Sequence, residues 1–186
     1  MLEELGWTFL AAQTSFDSGP VEMLAGDLAT AESELRRDYE TLERMGETNY
    51  ISTTSALLAE VLYRRGDLDG ADGFTRVSEE LAARDDVSSQ FRWRGVKGKI
   101  LASRGRFEEG ETLVRKAVEL IGGSDDINSQ GEALMDLVDV LRLAGRPAEA
   151  AEAAREALSL FEAKGNIVSA AVARATVQEL ESLGVS

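Results

Sequence analysis

The chain has 186 residues, 44% of them hydrophobic, a formal net charge of −14, and neither cysteine nor histidine. Those numbers exclude disulfides, thiolate or imidazole metal ligands and the usual proton shuttle, and the acidity opposes binding to a phosphate backbone or an anionic membrane. No apolar run approaches the roughly 18 residues that cross a bilayer, and Glu3 and Glu4 stand where a signal peptide would be basic, so the chain reads as soluble and cytoplasmic.

Residues 1–25 read as helical, with Leu2, Leu5, Phe9, Ala12 and Phe16 at spacings of three and four. A break or kink is expected at Asp17-Ser18-Gly19-Pro20, because proline lacks an N–H and crowds the turn before it. A second helix is expected over 27–45, ended by Gly46 in the left-handed conformation. Thr48 or Asn49 is expected to cap a third helix that runs to about Arg65. The spacing of apolar residues predicts further helices over 68–84, 88–104, 107–121, 128–144, 147–164 and 167–183. Gly122-Gly123 and Gly165 are expected to end two of these, and Pro147 suits a first helical position.

A short turn recurs through this series. It begins at Gly26, Gly66, Gly105 and Gly145, separated by 40, 39 and 40 residues. Leu, Phe or Pro stands two positions later, and Ala or Gly five positions later. Glycine permits a positive φ between two antiparallel helices; the small residue at plus five lets their backbones approach. Asp85-Asp86-Val87-Ser88-Ser89-Gln90 and Asp125-Asp126-Ile127-Asn128-Ser129-Gln130 repeat the same interval, with Asp86 and Asp126 as expected N-caps. Such periodicity is the signature of a stacked helical repeat. The expected architecture is all-α: a single solenoid over 1–186, with repeats at about 1–46, 47–85, 86–125 and 126–165 and a capping helix at 166–183.

Gly-x-aromatic/Leu-x-x-Ala inside a helix–turn–helix unit resembles the centre of the tetratricopeptide repeat, in variants with longer helices. The resemblance implies a right-handed α–α superhelix in which the first helix of each pair lines a concave groove. Gln90-Phe91-Arg92-Trp93-Arg94, Leu101-Ala102-Ser103-Arg104-Gly105, Asp136-Leu137-Val138-Asp139-Val140-Leu141, Gly145-Arg146-Pro147-Ala148-Glu149-Ala150 and Lys164-Gly165-Asn166 resemble the C-terminal repeats of bacterial signalling proteins that carry a nucleotide-cyclase-type domain and an AAA-type ATPase. That resemblance implies a repeat region of such a protein, without either catalytic domain.

Catalytic and cofactor motifs are missing. Gly98-Lys99 lies within a helix with no phosphate loop before it, and Asp67-Leu68-Asp69-Gly70-Ala71-Asp72 has the wrong spacing for a calcium loop. Without histidine, a serine nucleophile would need a lysine partner, and none of Lys97, Lys99, Lys116 and Lys164 has a suitable context. The chain is therefore read as a non-enzyme without cofactor or metal.

The helix at 88–104 stands apart. It carries Arg92, Arg94, Lys97, Lys99 and Arg104 with no acidic residue, together with Phe91 and Trp93. Trp93 reads as a core residue. Counted from the turn glycines, Gln13, Thr53, Arg92 and Glu132 are equivalent, as are Pro20, Glu60, Lys99 and Asp139, and Met23, Tyr63, Ala102 and Arg142. The pattern admits two readings. One is a cationic groove for an acidic or phosphorylated peptide, a C-terminal carboxylate or a small anion; the other is inter-repeat ion pairing, Glu60–Lys99–Asp139 and Arg92–Glu132. The leading expectation is a protein or peptide partner held by Tyr63, Arg92, Arg94, Lys99, Asp139 and Arg142, with no nucleic acid and no membrane. The alternatives are self-association through the end helices 1–16 and 167–183, and a small-molecule sensor domain of a regulatory ATPase.

Overall fold

The computed structural model describes residues 15–183, and every regular element among them is an α-helix: α1 (Ser15–Ala25), α2 (Leu28–Met45), α3 (Asn49–Arg64), α4 (Leu68–Leu81), α5 (Val87–Ser103), α6 (Phe107–Gly122), α7 (Ile127–Leu143), α8 (Pro147–Lys164) and α9 (Ile167–Leu183). Most of the expected end helix 1–16, with Gln13, lies outside the described residues. By its internal packing the chain falls into two compact units, Met1–Val96 and Lys97–Ser186, the boundary falling within α5.

Gly26, Gly46, Gly66, Gly105, Gly145 and Gly165 all have φ between 70° and 84°, the left-handed region that a side chain disfavours. The turns then divide by the residue next after the glycine. Asp27 and Asp67 cap α2 and α4, each carboxylate accepting a backbone N–H three residues on, from Thr30 at 3.0 Å and Gly70 at 2.9 Å. Arg106 and Arg146 occupy the same place before α6 and α8 and make no side-chain cap. Each instead forms a forked pair with the Glu three residues later, Arg106 to Glu109 and Arg146 to Glu149, the shorter bond in the first being 2.6 Å.

Both six-residue copies serve the same purpose. Asp86 and Asp126 accept from the backbone N–H of Ser89 and Ser129, each at 3.1 Å. Gln90 Nε2 donates to the carbonyls of Ala82 and Ala83, and Gln130 Nε2 to that of Ser124. The glutamine thus pins the loop that precedes its own helix. In the first copy this explains why α4 stops at Leu81 instead of 84: Ala82 turns to extended backbone and its carbonyl goes to Gln90.

Two other expectations are corrected. α1 runs through Pro20 without a break; proline's φ is already helical, and the preceding Gly19 has no Cβ for the ring to strike. Thr48 is the N-cap of α3 by position but makes no side-chain cap; the Glu47 carboxylate accepts from the N–H groups of Asn49 and Tyr50 at 2.9 and 3.4 Å. α6 ends at Gly122 with Gly123 as its C-cap, as expected, and Gly123 closes it at φ −84° without the left-handed form.

In the first unit Met23, Ala31, Leu35, Leu57, Leu58 and Val61 form a core. Tyr39 and Phe74 meet beside it edge to face at 5.4 Å. α3 also buries a polar run: Ser52 and Thr53 each share a 2.7 Å hydroxyl bond with Ser89 of α5, which ties those helices at one register. The second unit packs Val114, Val138, Leu141, Ala150 and Ala154 in one cluster and Leu134, Phe161 and Ala173 in another. Small residues set the crossings there. A Cβ on Gly110 would stand 2.5 Å from the Gly98 carbonyl oxygen, and one on Gly131 would stand 2.6 Å from the Phe161 ring.

Candidate functional site

In the first unit the named residues are Tyr63, late in α3, and Arg92 and Arg94 on α5; all three are half-buried. Phe91 and Trp93 alternate with the arginines and are buried, at 2% and 5% exposure. The expectation that Trp93 is a core residue is met. Each guanidinium folds over the ring that precedes it in sequence: Arg92 Cζ lies 4.7 Å from the Phe91 centroid, and Arg94 Cζ 4.1 Å from that of Trp93. Aromatic faces hold cations in this way without neutralising them. Arg94 Nη1 also donates to the Gln90 carbonyl at 2.7 Å and to its Oε1. Burial draws the Arg94 guanidinium below its ordinary pKa, and Glu79 pushes it back up; at neutral pH it stays charged.

In the second unit Lys99 lies on α5, and Asp139 and Arg142 on α7. Lys99 is 2% exposed, and its ammonium meets Asp136 Oδ1 at 2.6 Å. Asp139 is half-buried one turn beyond Asp136. Arg142 is exposed and donates from Nη2 to Glu179 Oε1 of α9 at 2.7 Å. Asp136 and Glu179 are ion-pair partners of those residues that sequence reasoning did not single out. Both are one turn from a residue or row that it did, which is the signal that marks them.

Chemically, this set can hold anionic or polar groups by charge and hydrogen bonding. No cluster of three or more acidic, His or Cys ligands fit for a metal occurs among the described residues. None of the described helices is long and apolar enough to cross a membrane.

Two family models described as tetratricopeptide repeat match the chain, one over residues 93–163 and one over residues 53–72. Among solved structures, BtubC (BKLC) from P. vanneervenii is similar, with 14% identity and a TM-score of 0.52 over 90% of this chain and 78% of that one. Nearly identical TPR-like repeats from Podosopora anserina, ascribed to a kinesin light chain, give 12% identity and a TM-score of 0.51 over 92% and 95%. No curated protein matches.

Proposed function

We propose that the chain, which is a tetratricopeptide-like helical repeat region, uses the first-helix face of its repeats to hold an acidic protein or peptide segment. Repeats of this family mediate protein–protein interaction and are non-catalytic scaffolds. The observation that carries the finer reading is on α5: four basic and no acidic residues on one helix of a chain of net charge −14. Arg92 and Arg94 are its contact residues in the first unit, with Tyr63 supplying an aromatic hydroxyl. Guanidinium groups held flat on aromatic rings lose little freedom on meeting a carboxylate or phosphate. Arg142 is the contact cation in the second unit, and Asp139, one turn before it, accepts hydrogen bonds from the partner's N–H groups. Lys99 acts from within, its charge set against Asp136. Acidic character elsewhere steers the partner by repelling it from other faces.

The stretches shared with cyclase- and ATPase-containing proteins support a place in a bacterial signalling protein, and the lack of cysteine is in keeping with the cytoplasm. Affinity capture from a native lysate, comparing the unaltered chain with Arg92→Glu/Arg94→Glu, tests the reading. The double variant should lose the captured partner at unchanged helicity and melting. Equal capture by both chains rejects the arginine face.

A further inference from the structure

The last helix carries a surface with a different character from the rest of the molecule. On α9 Ile167, Val168 and Val172 are 81%, 48% and 52% exposed, and Ala171 and Ala175 are exposed between and beyond them. The three charged residues of α9 are all turned to neighbouring helices of the second unit: Arg174 to Glu162, Glu179 to Arg142 and Glu181 to Arg155. What remains is an uncharged stripe on a strongly acidic chain. Its register says what shape fits it. Ala171 stands 40 positions after Gly131, against which α8 lays the Phe161 ring. The face exposed on α9 is therefore the one that α7 covers with an antiparallel helix.

We infer that a second copy of this chain covers it, α9 against α9 in an antiparallel contact about a two-fold axis between Ala171 and Val172. The size pattern is self-complementary about that point. Val168 faces Ala175 of the second copy, Ala171 faces Val172, and the reverse pairs repeat this, so each contact joins one large and one small side chain. Alanines at this spacing allow close helix approach, and the contact places no carboxylate against another. Reversing the stripe about any point that sets valine on valine loses this fit. Two bodies of net charge −14 repel each other elsewhere, so added salt strengthens the dimer. A single-helix contact is small by the standard of stable interfaces, so the dimer is a weak one.

The contact is independent of the arginine face on α5, and its test has separate readouts. Sedimentation equilibrium up to about 500 µM should show a monomer–dimer equilibrium that tightens with salt. Val172→Asp should weaken it at least about tenfold, because it brings two carboxylates together near the axis. The chain has no cysteine, so single introduced thiols report cleanly. Val172→Cys should cross-link on mild oxidation. Gln178→Cys should not, since the two copies of that position lie about 20 Å apart along the antiparallel pair. A strict monomer, a dimer that salt dissolves, assemblies that grow past two, or equal cross-linking from both positions overturns the proposal.

Discussion

Lys99 Nζ lies 2.6 Å from Asp136 Oδ1, the lysine being 2% exposed and the aspartate side chain 19%. A buried pair of this kind adds little net stability, because desolvation offsets the attraction, yet removing one partner weakens what compensates the other's buried charge. Asp136→Ala should therefore cost about 3 kcal/mol in urea unfolding. Lys99→Met with Asp136→Leu should cost less than the single change, since both members of the pair are removed together. A double variant as unstable as the single one would mean that packing, not charge, dominates the site. Lys99→Glu should unfold the second unit, and for that reason the partner face is tested at Arg92 and Arg94.

The crossing of α5 and α6 gives a steric test. Gly98 and Gly110 present bare backbone to one another, and a Cβ on Gly110 would meet the Gly98 oxygen at 2.5 Å and the Ala102 nitrogen at 3.2 Å. Gly110→Ala should destabilise by about 2 kcal/mol, although alanine is the better helix former by about 1 kcal/mol. Gly73, inside α4, has nothing within 4 Å of the same added atom. Gly73→Ala should therefore stabilise by about 0.5–1 kcal/mol. Chemical denaturation of the two variants in parallel separates the terms, and a shift of the same sign in both would reject the close crossing.

The start of α3 offers a finer one. Glu47, not Thr48, supplies the side-chain acceptor for the first free N–H groups of that helix, at 2.9 Å to Asn49. Thr48→Ala should leave thermal stability unchanged, while Glu47→Ala should lose roughly 0.5–1 kcal/mol. The reverse order of effects would restore the threonine as the cap.

Local chemistry explains what could be read directly. Gly66, Gly105 and Gly145 announced their turns because only glycine takes positive φ cheaply, and Asp86 and Asp126 announced theirs because a carboxylate before a helix has free N–H groups to accept. The pairing of long side chains was less legible. Register alone sets Lys99 level with Asp139. Register did not point to Asp136, one turn earlier on α7, which the ammonium meets at 2.6 Å. Pro20 misled for a related reason: its effect depends on the neighbour before it, and Gly19 removes much of the clash. The stripe on α9 was hidden in plain composition. Ile167, Val168 and Val172 look like core residues until the ion pairs of Arg174, Glu179 and Glu181 show which way the helix faces.

Acid titration reports on the turn between α7 and α8. Burial alone would raise the Glu111 pKa, but hydrogen bonds from Arg146 and Arg115, and their charges, bring it below its ordinary 4.5. Arg115 Nε donates to it at 2.8 Å, and Arg146 joins it from the next helix pair of the same unit. A carboxyl whose folded pKa is depressed contributes stability that is present above its unfolded pKa and is lost as pH falls through the folded value. At neutral pH the unaltered chain should thus melt above Glu111→Gln. The gap should begin to close below about pH 4.5 and vanish once Glu111 is protonated in the folded state. Arg146→Gln should shrink the gap at neutral pH, because it removes one of the two cations that hold the carboxylate. A gap that stays constant or widens in acid would show that desolvation, not the arginines, sets the Glu111 proton affinity.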